Sequence, residues 1–353
     1  MTPLETCLAR LPADPIPLPR PAPDRLEALL YGLAIGDALG NTTESRRPRH
    51  RLRDFGEITG YLPNRHANNL PVGVPSDDTQ MAFWLLDHLL RRDGLVPEEL
   101  AETFATTEIY GVGQSVAEFR ANLLNGRPWD RAGSRSAGNG AIMRIAPMLL
   151  LQPRLTPHDF ATEVMRCAAI THNQEGAIAS AYAWVAFLAE LASGAARPQD
   201  ALDRFLPPLE ALEGDGCYRP RGGALIDEFY GPLSAFLRRT VPDGLERGLD
   251  PLEFGELTYS GAYLLETLPT VLFLLTSYPD DPERAILDAV NLTRDNDTIA
   301  SLVATAMGAA YGMGAFRDEW VSGLLGRTGA ADDGAVQRLI RDALSCYEGA
   351  AHV

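Results

Sequence analysis

Two short segments of this chain place oxygen donors directly ahead of an apolar helical run: Ser76-Asp77-Asp78-Thr79 and Asp295-Asn296-Asp297-Thr298. Together they hold four carboxylates and several hydroxyls, with no histidine or cysteine among them. Hard oxygen donors of this kind suit Mg2+, Mn2+ or Ca2+ and do not suit zinc. Taken singly, each segment reads as a helix cap, because Asp, Ser and Thr are favoured at helix N-termini and carboxylates complement the positive end of the dipole. Capping, however, uses one or two oxygens. Adjacent residues on a helix face different ways, so Asp77 and Asp78, or Asp295 and Asp297, can meet at one point only from a loop or a first turn. If all four converge, mutual repulsion raises their pKa values and a cation is the natural counter-charge.

Other segments could complete such a site. In Gly36-Asp37-Ala38-Leu39-Gly40-Asn41-Thr42-Thr43-Glu44 a helix stops at Gly40 and an acid follows. Glu44 could close a capping box with Asn41, but Ser45, an arginine cluster and Pro48 come next in place of an apolar helix, which leaves Glu44 available for function. Gly111-Val112-Gly113-Gln114-Ser115 and Ser136-Ala137-Gly138-Asn139-Gly140 each lead into a predicted helix, where glycines let an anion approach backbone N–H groups. Neither is a dinucleotide fingerprint, since no strand precedes Gly111. His172 reads equally as a half-buried structural histidine or a ligand contact. A serine hydrolase using Ser115 and His172 ranks low, because Gly113-Gln114-Ser115-Val116-Ala117 lacks the final glycine and the strand of a nucleophile elbow.

Composition limits the chemistry further. The chain has 353 residues, 47 acidic and 31 basic, for a net charge of −16. All the basic residues are arginine, which excludes a Walker A lysine, a pyridoxal Schiff base and a Ser-Lys dyad. Cys7, Cys167, Cys217 and Cys346 are far apart, so neither a disulfide framework nor a thiolate zinc site is indicated. The negative charge disfavours nucleic acid and acidic lipid as partners, although Arg46 to Arg53 is locally basic and reads as a solvated loop. Apolar runs such as Val271–Leu275 fall short of the roughly 18 residues of a membrane span, and no signal pattern opens the chain. The expectation is a cytoplasmic globular protein with no membrane partner.

The elements that must carry these residues are helical. Leu26, Leu29, Leu30 and Leu33 recur with helical period, as do Met81, Trp84, Leu85, His88 and Leu89, and Ile299, Leu302, Val303, Ala306, Met307 and Ala310. Helices are predicted near 24–39, 79–92, 97–109, 113–125, 141–152, 157–170, 174–193, 225–239, 255–275, 282–291, 297–312 and 333–347. Alternating strand patterns are scarce, so the fold class is all-α. Residues 1–23 read as a proline-rich N-terminal extension, extended over 11–23, and residues 24–353 as a single domain starting near Asp24. Residues 194–224, rich in proline and glycine, read as a connection within that domain.

These motifs, in this order, resemble the ADP-ribosylglycohydrolases, the family of dinitrogenase reductase-activating glycohydrolase and the ADP-ribosyl-acceptor hydrolases. The resemblance rests on Gly36–Gly40 with Glu44, on Ser76–Thr79, on Gly138-Asn139-Gly140-Ala141-Ile142-Met143-Arg144-Ile145-Ala146-Pro147, and on Asp295–Thr298 followed by Gly308-Ala309-Ala310-Tyr311-Gly312. It implies a compact orthogonal multi-helix domain whose cleft holds two Mg2+ (or Mn2+) ions and ADP-ribose, and which cleaves the bond from C1″ of the distal ribose to an acceptor. By the same resemblance Ser76, Asp77, Asp78, Asp295, Asp297 and Thr298 would be metal ligands, and Glu44 the mobile catalytic glutamate. Gly111, Val112, Gly113, Gln114 and Ser115 would bind the diphosphate; Ser136, Gly138, Asn139 and Gly140 the ribose and diphosphate; and His172 would stand at the cleft rim. Glu44, Asp77 and Asp78 are the candidates for moving the proton. The chain departs from many members at Thr293-Arg294, where two glycines are usual, and at Ala137, where some carry an aromatic.

The leading expectation is therefore a metal-dependent glycosidic hydrolase that removes ADP-ribose from a modified protein, with arginine as acceptor. A non-catalytic ADP-ribose-binding protein is the alternative, favoured if Arg294 displaces a metal. A metal-dependent phosphoester hydrolase ranks third.

Overall fold

Gly32, Gly36 and Gly40 recur every fourth residue along one helix, and this row sets the centre of the molecule. In the computed structural model, which describes residues 1–64, 70–71 and 73–349, that helix is Pro23–Gly40 and it lies against the helix Asn296–Tyr311. A Cβ on Gly36 would sit 2.3 Å from the Ala300 carbonyl oxygen, one on Gly32 2.3 Å from that of Ala304, and one on Gly40 2.5 Å from Asp297 Cα. Gly308 answers from the opposite side, 2.4 Å from the Ala28 carbonyl oxygen. The contacts run in opposite chain directions, so the two helices are antiparallel with their backbones touching. Only glycine allows that approach.

In chain order the helices are α1 (Pro3–Arg10), α2 (Pro23–Gly40), α3 (Pro48–Phe55), α4 (Asp77–Arg92), α5 (Pro97–Thr106), α6 (Gln114–Leu124), α7 (Trp129–Ala132), α8 (Pro157–Ala169) and α9 (Glu175–Ser193). There follow α10 (Ala201–Glu213), α11 (Leu233–Glu246), α12 (Pro251–Thr258), α13 (Leu264–Ser277), α14 (Pro282–Leu292), α15 (Asn296–Tyr311), α16 (Asp318–Gly323) and α17 (Ala335–Gly349). A two-residue antiparallel ladder, Pro63–Asn64 with Leu70–Pro71, is the β-structure named here. The all-α expectation holds. α2, α9, α13 and α15 are apolar nearly all round because they form the middle of the core, and the remaining helices cover them. α9 and the stretch Asn296–Ala315 are long and apolar enough to cross a membrane, contrary to the reading of short apolar runs, and both are mostly buried within the protein.

Several local expectations need correction. The folded part begins before Asp24: α1 buries Leu4 and Cys7, and the Leu4 N–H donates to Asn173 Oδ1 at 3.1 Å. The run 194–224 contains α10, which tolerates Pro207 and Pro208 because Phe205, Leu206, Leu209 and Leu212 bury one face. Residues 142–154 form 3-10 turns in place of an α-helix, with Pro147 and Pro153 among them. The stretch 255–275 is two helices, broken where Tyr259 and Ser260 both take positive φ (77° and 43°). Arg46 to Arg53 is not a solvated loop, because most of it is α3 and Arg51 is completely buried.

Candidate active site

The two acidic segments open α4 and α15, and neither uses its first side chain to cap its own helix. Ser76 Oγ instead donates to Asp37 Oδ1 at 2.5 Å. Asp37, fully buried near the end of α2, also accepts from the N–H groups of Ser76 (3.3 Å) and Thr79 (3.1 Å), from the Thr79 hydroxyl, and from Asn41 Nδ2 (3.1 Å). One carboxylate from a neighbouring helix thus caps α4 and frees its own acids. Asp295 Oδ2 accepts from Asn139 Nδ2 at 2.6 Å, Asp297 Oδ1 from the Thr298 N–H at 2.9 Å. Thr298 Oγ1 donates to Asp78 Oδ2 at 3.1 Å, joining the two motifs directly across 220 positions.

The acids do converge. Glu44, Asp295 and Asp297 each bring a carboxylate oxygen within 4.8 Å of the other two. A Cβ on Gly111 would lie 3.7 Å from Asp77 Oδ1 and 3.9 Å from Glu44 Oε2, which places Asp77 and Glu44 on the same wall. Burial, followed by the charges of Glu44 and Glu266, pushes Asp295 up to about 7; its bond from Asn139 opposes the shift. Asp77, Asp78 and Asp297 are raised well above the usual carboxylate range, first by burial, then by the charge of Glu44 or Asp37, and further by neighbouring acids that include Asp295. Asp78 Oδ1 is buried without a hydrogen-bond partner among the described residues. Such an arrangement calls for a cation. Ser76 and Thr298 spend their hydroxyl protons on carboxylates, so their lone pairs stay available to one. The donor set is all oxygen and fits a hard divalent ion.

The two glycine-bearing loops share with the acids a cavity of about 290 Å³. The cavity is lined by Glu44, Asp77, Asp295, Asp297 and Thr298 together with Gly111, Gly113, Gln114, Ser115, Ser136, Gly138, Asn139, Gly140 and His172. Ser76, Asp78 and Val112 do not line it, the first two being buried and Val112 39% exposed. Gly111 has φ +76°, a conformation that favours glycine. α6 starts at the cavity with Gly113 as its N-cap and no capping side chain, which leaves its first N–H groups for an anion.

His172 is not at the rim. It is 1% exposed and lies under the second loop, where a Cβ on Gly140 would be 2.6 Å from its Cε1 and one on Gly138 3.2 Å from its Nε2. Those glycines make room for the ring, a reason for glycine distinct from anion approach. Buried Arg144 donates through Nη2 to Thr171 Oγ1 at 2.8 Å, and the Thr171 hydroxyl stands 3.0 Å from His172 Nδ1. The Thr171 hydroxyl can donate to Nδ1 or accept from it, so either tautomer of the ring fits this contact. Burial, then the Arg144 charge, lowers the His172 pKa to about 3, so the ring is neutral at ordinary pH.

Residue-by-residue reading of the motifs missed four positions that complete the site. Arg51 ties the stretch that carries Glu44 to the one ahead of Asp295, bonding Thr43 Oγ1 (2.9 Å), the Thr293 carbonyl (2.7 Å) and the Asn291 carbonyl (3.2 Å). Arg221, which comes from the supposed connection, lines the cavity, with its guanidinium 4.2 Å from the centre of the Tyr263 ring. Glu118 and Ser134 close the far end, the Ser134 hydroxyl donating to Glu118 at 2.6 Å. Arg294 stacks 4.3 Å from the centre of the Tyr259 ring, and its N–H and that of Asp295 donate to the Ser260 carbonyl at 3.2 and 3.0 Å. The left-handed pair Tyr259 and Ser260 thus shapes the loop ahead of Asp295.

A helical fold built round an acid-lined cleft and two N–H loops defines a class, and the comparison with known proteins agrees: a family model described as ADP-ribosylglycohydrolase matches residues 19–349, and the chain belongs to that family. Among its relatives, the human ADP-ribosylhydrolase ARH3 is 27% identical over 334 residues, covering 84% of this chain and 88% of the relative. The ADP-ribosylarginine hydrolase Tri1 of Pseudomonas putida (strain GB-1) is 26% identical over 317 residues, covering 86% and 75%. A solved structure titled ADP-ribosylglycohydrolase-related protein complex superposes with a TM-score of 0.66 at 27% identity, covering 92% of this chain and 98% of that one.

Proposed function

We propose that this protein is a divalent-metal-dependent hydrolase that releases ADP-ribose from a modified protein by cleaving the C1″ glycosidic bond, with arginine as the acceptor. The observation that carries the proposal is that Glu44, Asp295 and Asp297 converge in the same cavity that the uncapped start of α6 lines. Membership of the family and likeness to an ADP-ribosylarginine hydrolase support the reaction class and the acceptor.

Ser76, Asp77, Asp78, Asp295, Asp297 and Thr298 would hold two Mg2+ (or Mn2+) ions. When bound, such ions supply positive charge to the ribose hydroxyls and lower the pKa of a nearby water. The chain's own groups do the rest. The N–H groups of Gln114 and Ser115, with the Ser136 hydroxyl, bind the diphosphate and fix the distal ribose towards the acids. Asn139 holds Asp295 in register. Glu44 and Asp77, both on the cavity wall, handle protons as positive charge develops at C1″ in an oxocarbenium-like transition state. Arg294, drawn aside onto Tyr259, supports an intact set of metal ligands and so weakens the case for a mere binding protein.

The test is release of free ADP-ribose from a panel of arginine- and serine-modified proteins, with Mg2+ and with EDTA. Release from the arginine substrate is expected, with loss in EDTA and loss of both turnover and metal binding in Asp77→Ala and Asp297→Ala. Tight ADP-ribose binding with no release from any acceptor would sink it.

A further inference from the structure

A second cavity, of about 570 Å³, adjoins the first and shares Glu118 with it. Its wall continues that of the cleft. Ser115, Glu118 and Asn122 stand at helical spacing on α6, so the face that meets the diphosphate at the start of the helix carries on into this cavity. Seven residues of helix span about 10 Å, on the order of one nucleoside. Around the cavity stand Arg127, Arg131 and Arg135, all exposed and none of them ion-paired among the described residues. Nearby Arg166, by contrast, pairs with Glu163 and stacks on Trp129. The two carboxylates in the cavity accept from neutral donors, Glu118 from the Ser134 hydroxyl and Glu5 from the Thr2 N–H, and among the described residues neither pairs with these arginines. A protein of net charge −16 thus gathers three guanidinium groups, none ion-paired among the described residues, round a cavity with two carboxylates, about one nucleoside beyond its anion loops.

Building on the reading of the cleft given above, we infer that this second cavity takes a further phosphate group carried by the substrate beyond its diphosphate. Guanidinium forks match phosphate oxygens two at a time, which three arginines round an open cavity can do. Two substrates carry such a group: ADP-ribose with a phosphomonoester on the adenosine ribose, and a polymer whose next unit brings its own diphosphate.

Calorimetric titration in Mg2+ at low salt, with ADP-ribose, ADP-ribose 2′-phosphate and a linear ADP-ribose dimer, tests this. One phosphate-bearing probe should bind at least about tenfold tighter than ADP-ribose, the advantage shrinking as salt rises. The probe that gains identifies the source. The double variant Arg131→Gln/Arg135→Gln should lose the advantage while holding ADP-ribose within about twofold, and Arg131→Lys/Arg135→Lys should keep part of it. Equal binding of all three probes, or an advantage that survives in the Gln variant, overturns the inference and leaves the cleft reading standing. If none of the probes binds, the cleft reading fails and this inference with it.

Discussion

At the scale of single residues, the site depends on where hydroxyl protons go. Ser76 and Thr79 both donate to Asp37, so the carboxylate that shapes the first acidic segment comes from a different helix and faces no ligand itself. Removing its charge should act on metal affinity through Ser76. Asp37→Asn is expected to weaken Mn2+ binding by about 10- to 100-fold, the usual size for an outer-shell partner, measured by calorimetric titration of the metal-free protein. Unchanged affinity would show that Asp37 serves only to cap α4. Asp77, Asp295 and Asp297 were legible from residue type and spacing. Arg51 was not, because a run of arginines looks solvated until packing shows that one of them supplies five hydrogen bonds inside the protein.

At the scale of elements, the acids meet because α2 and α15 touch along glycines. Gly36→Ala would put a methyl group 2.3 Å from the Ala300 carbonyl oxygen and 2.5 Å from the Ser301 nitrogen, against the backbone of α15. Overpacking of this kind costs about 1–3 kcal/mol. Since α15 carries Asp297 in its first turn, the variant should lose thermal stability and Mn2+ affinity together, whereas Gly60→Ala, with nothing within 4 Å among the described residues, should change neither. Loss of stability with metal affinity intact would mean that α15 carries its acids independently of this contact. Most helices were legible from period and caps. The break at Tyr259 and Ser260 was not, because the cause is long-range: the Ser260 carbonyl accepts two N–H groups from the loop ahead of α15.

At the scale of the whole molecule, the buried acids make stability depend on pH. Asp295 has a folded pKa near 7, above its ordinary 3.8, and Asp37, Asp77, Asp78 and Asp297 are raised in the same direction. A raised acid binds protons more tightly when folded, so its contribution is full below the unfolded value and is lost as pH rises through the folded one. The metal-free protein should therefore melt at progressively lower temperature from about pH 4 to about pH 7, in scanning calorimetry. Added Mg2+ should raise the melting temperature more at about pH 7.5 than at about pH 5, since it replaces protons that are already gone. A flat profile without metal would contradict the burial of these carboxylates. Their convergence was arguable from the sequence, since four acids drawn together need a counter-charge. The second cavity was not, because Arg127, Arg131 and Arg135 form no motif until the fold places them round one space.

Residue order alone determined the helical class, the hard-oxygen chemistry of the two acidic segments, the loops that offer N–H groups, and the family. Each of these depends on neighbours within a few turns of chain. Only the tertiary structure decided which oxygen meets which hydroxyl, that His172 supports a loop from beneath, that Arg51 is buried while Arg131 and Arg135 have no ion pair among the described residues, and that Arg294 turns onto Tyr259. Burial and pairing between segments 220 positions apart follow from how closely helix backbones approach, which no local pattern records.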